Sequence, residues 1–518
     1  MPRAQVDGRR GGIYASTEMK RFAILVFLAI LALSLLGVSS AASDTPLAGD
    51  LDSSFGAGGV VAHSVGAAEN SRVEAIAVQQ DGKIVATGDS NRGEDGFLLA
   101  RYLRDGSPDP SFGNGGYVET HFPDAASADA VAVQPDGKIV VAGSETPGGD
   151  IRSVFALARY SPDGSLDTSF GTGGITTTAI PEQSSPSSAG AEALAILPGG
   201  EILAGGSAGF ETDAITLPTS FFALVRYKPD GSVDPTFGQS GIVQTRFDGN
   251  LGLWGIAVRP DGKIEAAGTA SGPGHGLTYH RMALALYKPD GALDTAFGHL
   301  GTAASSATLN YDGGPSTLQD GGIVVAGETH NGFPVLARYT AGGRLDPTFG
   351  KEGFRKITRL HGGSTAIRTQ TDGKILVGLR VARSGGAEAG VIVRLTRNGR
   401  LDPSFGRGGI VPLSRGLLTT ALTTQADGKI LVGGGSGDSW TVDRFIGGNN
   451  CVVPDLRGKT VSKARALLKT SYCRTGRIAK RLSRKVTRGR VISTTPLLGD
   501  RRPGGAKIDL VVSKGLRP

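Results

Sequence analysis

LDTSFGTGGI (Leu166–Ile175) and AVAVQPDGKIVVAG (Ala130–Gly143) are two phrases to which this 518-residue sequence keeps returning. The Phe-Gly of the first recurs at Phe55, Phe112, Phe170, Phe237, Phe297, Phe349 and Phe405, with a period of 52 to 67 residues. The turn of the second keeps step at Asp81, Asp136, Gly199, Asp261, Asp320, Asp372 and Asp427. A third phrase completes the unit: LLARY (Leu98–Tyr102), FALARY (Phe155–Tyr160), FALVRY (Phe222–Tyr227) and VLARY (Val335–Tyr339). Self-similarity at such a period marks an array of supersecondary units that bury their apolar faces against one another.

Within the second unit the pattern predicts four short strands, Gly116–Thr120, Ala130–Gln134, Lys138–Gly143 and Phe155–Tyr160, rich in β-branched and aliphatic residues and bounded by turn signals. QPDG (Gln134–Gly137) is a hairpin turn: proline presets position i+1, aspartate suits i+2 and glycine supplies the positive φ. Seven antiparallel four-stranded units predict an all-β seven-bladed β-propeller, in which radial repetition leaves only short, protected edges. These phrases resemble the delta-60 repeat proteins, bacterial surface or secreted proteins whose repeat is thought to form a propeller. The resemblance spans Leu51–Phe445 and implies a fold but little about function.

Residues 1–43 read as an export signal, with Met19 as an alternative start. Lys20 and Arg21 precede an apolar run, Phe22–Leu36, and small residues follow at Ser39–Ala42. The alternative is an uncleaved anchor, the run being near the lower limit for a membrane span. The mature chain is expected to have no membrane span. The propeller is assigned to 44–446 and a linker to 447–450. The seventh RY-like strand, WTVDRF (Trp440–Phe445), lacks a following LDxSFG segment, so the N-terminal LDSSFG (Leu51–Gly56) is expected to fill that place and close the ring.

The PDG turns and DGSLDPSFG connections fall on one face of the array, and the remaining loops on the other. The second set varies in length, at Gly206–Ser220, Thr269–Arg281 and Leu379–Gly390, which marks it as the binding face. There Glu74, Asp129 and Glu192 occupy the same place in three successive units, just before the second strand, and Trp254 occupies it in the fourth. Neighbouring carboxylates suit a hard divalent cation such as calcium, or a basic or sugar ligand beside the tryptophan. The alternative is solvated carboxylates at strand starts, which are common. Glu265 stands where other units carry Val85, Val140, Leu203, Val324, Leu376 and Leu431; if buried, it has a raised pKa.

No catalytic motif is found. There is no GxSxG or Cys/His nucleophile pattern, and the seven histidines, His275 and His280 included, lack metal-ligand spacing. The recurring Asp of LDxxFG and Arg of RY serve the fold, by capping a turn or pairing with each other, because an active site needs different groups converging at one point. No cofactor is required.

Residues 451–518 hold 18 Lys and Arg against 3 Asp and Glu, a net charge of +15, which leaves residues 44–450 at −10. VPDLRGKTVSKARALLKT sets Val461, Ala464, Leu467 and Leu468 at helical spacing behind Thr460 as N-cap, and GRVISTTP and AKIDLVVSKG alternate as strands. The VPDLRGKT, GRVIS and VVSKG phrases resemble a PASTA domain, a small α+β module, which implies association with the bacterial cell wall, sometimes by muropeptide binding. KRLSRK departs from that pattern in its basicity. Cys451 and Cys473, the only cysteines, read as a disulfide in an exported chain. Nucleic acid is disfavoured, since Tyr472 is the sole aromatic of the tail and provides no stacking platform.

These features predict a secreted or wall-associated binding or scaffold protein. Its partners would be a cell-wall polymer or muropeptide at the tail and a surface protein or glycan on the loop face. The alternative is an envelope polysaccharide hydrolase or lyase.

Overall fold

The computed structural model describes residues 46–516 apart from 64–71, 90–95, 150–151, 182–187, 210–219, 248–250, 272–279, 306–308, 320, 383–387, 414–416 and 437–438. The export-signal segment, most of the variable loops and His275 lie outside the described residues. No described helix is long and apolar enough to cross a membrane.

Each repeat folds as an antiparallel meander. In the second, the strands Ala126–Val133, Ile139–Glu145, Val154–Tyr160 and Ile175–Thr178 pair in that order. The middle two are almost continuously buried because they are apolar at successive positions, whereas the first alternates between buried and partly exposed residues. Sheets running from Val73–Val78 to Tyr117–Thr120, from Ser188–Ile196 to Ile242–Thr245 and from Gly362–Thr369 to Ile410–Pro412 repeat this order. Two further meanders, beginning at Leu251–Val258 and Leu309–Gln319, join through the single pair His280–Leu309 into one eight-stranded sheet. The closing sheet takes Leu418–Thr424, Ile430–Ser436 and Ser439–Phe445 from the end of the array and Val60–His63 from its start. The first strands of successive meanders pack against one another in a cycle that returns from Leu418–Thr424 to Val73–Val78.

The sheet and the sequence repeat are out of phase by one strand. Tyr117–Thr120 pairs with the preceding RY strand, Phe97–Tyr102, and not with the strand that follows it in sequence. The LDxSFG segment causes this by folding back: Asp109 N donates to Arg101 O at 2.9 Å, and Arg101 N to Gly116 O at 2.8 Å.

The recurring charged residues cement these turns. Asp109 Oδ1 accepts from Ser111 N and Oγ, while its Oδ2 takes Arg101 Nε at 2.8 Å and Lys83 Nζ at 3.0 Å. Arg101 lies over the Phe112 ring, 4.4 Å from its centroid, and reaches the Pro162 carbonyl in the next unit. The same arrangement recurs at Arg159, Arg226, Arg338, Arg394 and Arg444. Between units, Tyr160, Tyr227 and Tyr287 donate to Thr120, Thr178 and Thr245 of the unit before.

The C-terminal module has its own core of Cys451, Val453, Leu456, Ala464, Leu468, Cys473, Val491, Ile508, Leu510 and Val512. Its helix, Val461–Thr470, is capped by Thr460, whose side chain accepts from Lys463 N. Arg474–Arg481 pairs in parallel and Val491–Thr495 antiparallel with Lys507–Ser513. The expected disulfide joins Cys451 to Cys473. Residues 447–450, assigned as a linker, are inlaid in the ring. Gly448 O and Asn449 Oδ1 accept from Arg394, where other units supply a turn carbonyl to that arginine. Asn450 makes a reciprocal pair with Ala48, accepting at 2.7 Å and donating at 3.0 Å.

Candidate functional site

In six of the meanders the first strand slips register once against the second, and in the one beginning at Leu309–Gln319 it slips twice. The single slips fall between Val73 and Ala75, Ala128 and Ala130, Gly190 and Ala193, Leu253 and Gly255, Ser364 and Ala366, and Thr419 and Ala421. A β-bulge of this kind leaves one residue unpaired and re-aims its side chain. The residues at these slips include Glu74, Asp129, Glu192, Trp254, Thr365 and Thr420, and all six line one cavity of about 930 Å³.

The glycine of the VVAG phrase permits this bulge. A Cβ on Gly143 would lie 1.8 Å from Ser127 O, one on Gly206 1.7 Å from Gly190 O, and one on Gly268 1.8 Å from Gly252 O. Any side chain there would push the two strands apart, so glycine is required by the close approach of backbone to backbone.

All four residues singled out in sequence therefore meet at one cavity, though within the inner strands and not before them. Thr365 and Thr420 were missed, and aligning the units on the residue before the Ala-aliphatic pair would have found them. Arg368 was missed as well. It stands where other units carry Ala77, Ala132, Ala195, Ala257 and Thr423, and it donates through Nε to Leu422 O at 3.2 Å. The lining reaches Gly332, Ala382 and Glu388, beside the loops of the variable face.

The acidic wall has an uneven charge. Glu74 pairs with Arg72. Glu192 is half-buried in the cavity wall, and desolvation there, reinforced by the Glu74 charge, raises its carboxyl to about 7. Trp254 donates through Nε1 to Thr269 Oγ1 at 3.3 Å, which orients the indole at the cavity wall. Among the described residues, no group of three or more His, Cys, Asp or Glu side chains is placed to hold a metal ion.

Glu265 lies outside this cavity. It is fully buried opposite Leu286, which replaces the RY arginine of the other units. Burial raises its carboxyl to about 7 against the opposing pull of Arg259, whose Nε is 2.5 Å from Oε1. Elsewhere an aliphatic residue faces the arginine across the same strand pair, so here a carboxylate on the second strand stands in place of a guanidinium on the third. The enclosed ion pair assigns Glu265 to the fold.

Residues 79–112, 134–170, 198–237, 318–349 and 370–405 match a family described as Domain of unknown function (DUF5122) beta-propeller, and residues 452–514 match the PASTA domain. Among solved structures, the extracellular region of the Ser/Thr kinase PrkC from Staphylococcus aureus is 35% identical over 12% of this chain, with a TM-score of 0.12. The chain covers 22% of that region's length. The soluble aldose sugar dehydrogenase of Escherichia coli is 13% identical, with 74% of this chain and 99% of that one covered and a TM-score of 0.35. The α-L-arabinofuranosidase Arb93A of Fusarium graminearum is 10% identical, with 68% and 97% covered and a TM-score of 0.37.

Proposed function

Because this chain carries DUF5122 beta-propeller repeats and a C-terminal PASTA domain, we propose that it is a secreted or wall-associated binding protein of a bacterial envelope. In this reading a seven-bladed ring presents its central cavity and variable loops to a ligand, while the PASTA domain associates with peptidoglycan or another wall polymer. The observation that carries it is the PASTA match over residues 452–514, a module associated with the cell wall. Co-sedimentation of the full chain with purified sacculi tests it. Retention that soluble muropeptides or released wall polymer displace is the expected result; a chain left in the supernatant at low and high salt refutes it.

A second reading, an envelope polysaccharide hydrolase, draws support from Glu74 and Glu192. Burial and the neighbouring Glu74 charge raise the Glu192 carboxyl to about 7, the protonation range of a general acid that works near neutral pH. Release of reducing ends from wall glycan, abolished by Glu192→Gln, would favour it. Unchanged glycan across pH 5 to 8 would leave the binding role.

A further inference from the structure

Residues 474–490 contain eight Lys and Arg and no Asp or Glu. Arg474, Arg477, Lys480, Arg481, Arg484, Lys485, Arg488 and Arg490 are all exposed, and among the described residues none of them pairs with a carboxylate. The ring treats its cations differently. Its repeated arginines and the lysines of the DGK turns are bound to the LDxxFG aspartates. The basic tract is thus a contiguous run of uncompensated charge on a chain whose repeated cations are paired.

The tract is also ordered. Arg474–Arg481 is the edge strand of its sheet, with a neighbour on one side only. The segment after it is pinned by Ser483 Oγ, which accepts from Lys485 N and Val486 N, and by Ser513 Oγ, which donates to Val486 O at 2.6 Å. A fixed array of cations loses less conformational freedom on binding than a disordered tail of the same charge. Six of the eight are arginines, whose planar fork matches oxyanions with two equivalent oxygens. Docking on the ring does not cover the tract. That contact uses Tyr472, over which Lys374 Nζ sits 4.5 Å from the ring centroid. The same contact occupies the one aromatic side chain on which a nucleic-acid base would stack.

We propose that the face formed by Arg474–Arg481 and residues 482–490 binds a linear polyanion carrying forked oxyanions along its length, in preference to neutral glycan. The inference rests on the envelope reading and names the chemistry of that contact. The ligand chemistry is shared by phosphodiester and uronate polymers of the wall.

The test measures binding of the full chain to poly(glycerol phosphate), polygalacturonate, a neutral chitin oligosaccharide and double-stranded DNA over a range of salt. The expected result is binding to one or both acidic polymers, which also identifies the source. Replacing Arg477, Lys480 and Arg481 with Gln should weaken it about tenfold or more and flatten the log–log salt dependence by about two. Arg484→Gln with Lys485→Gln and Arg488→Gln is a second variant, away from the strand, in case the first alters folding. Equal binding by both variants and the native chain, equal binding to the neutral glycan, or tighter binding to DNA overturns the proposal. Sacculi stripped of acidic polymers separate the two claims. Undiminished retention on them refutes the polyanion face and leaves the envelope reading, whereas no retention on intact sacculi refutes both.

Discussion

Arg444 donates through Nε to the Asp52 carboxylate at 2.8 Å, across 392 positions of the chain. Elsewhere the equivalent pair spans eight residues, as from Arg101 to Asp109. The closing sheet thus uses the same local bond as every other turn to tie the two ends of the array together. Val60–His63 adds a strand to the same seam.

Arg444→Ala should open that seam. It removes contacts to Asp52, Ser54 and the Arg104 carbonyl and uncovers the Phe55 ring. Lys429 still reaches Asp52 at 3.0 Å, so the loss should fall between that of an exposed and a buried pair, about 2 kcal/mol. Thermal denaturation should show a midpoint lowered by several degrees. An unchanged midpoint would mean that strand pairing alone closes the ring.

Acid should attack the same seam. Burial would raise the Asp52 carboxyl, but hydrogen bonds from Ser54 and Lys429, with Arg444 beside it, hold it at about 2 against an ordinary 3.8. A depressed carboxylate contributes stability that is present above its unfolded value and lost as pH falls through its folded one. Stability should therefore decline between about pH 4 and pH 2. Asp52→Asn should remove this group's share of the decline, read as midpoint against pH.

Glu192 has the opposite sign. Its folded value of about 7 lies above the ordinary 4.5, so its contribution is full below that value and lost as pH rises through 7. Glu192→Gln should leave stability at pH 5 little changed and raise it at pH 8. Identical pH profiles for the two proteins would show that the carboxylate is solvated from the cavity.

Asn450→Ala should loosen the PASTA domain from the ring. It leaves Ala48 N without its acceptor and takes one donor from Ala48 O, which keeps Gly406 N, in a site where Asn450 is buried, at a cost of about 2 kcal/mol. Limited proteolysis should then cut within 447–450, where the native chain resists.

Opening the disulfide should act on the small module. The bond closes a separation of 22 residues, and losing it costs about 3 kcal/mol by the chain-entropy argument. Cys451→Ser with Cys473→Ser should lower the unfolding midpoint of the PASTA core and leave that of the ring near its native value, as followed by hydrogen exchange.

The repeat, the meander, the ends that meet and the small C-terminal module were legible in the order of residues, because all of these follow from local periodicity and turn chemistry. Phe-Gly and Pro-Asp-Gly specify their turns wherever they occur, and the helix after Thr460 follows from spacing and its cap. The sequence also picked out Glu74, Asp129, Glu192 and Trp254 as equivalent. That they share a cavity became visible in the folded chain, since the bulge that turns them inward arises from the pairing of two strands over a glycine. The folded chain likewise shows that Tyr117–Thr120 belongs to the preceding sheet and that residues 447–450 are inlaid in the ring. Both depend on which partner a backbone group finds across space, and adjacency in the chain does not specify that partner.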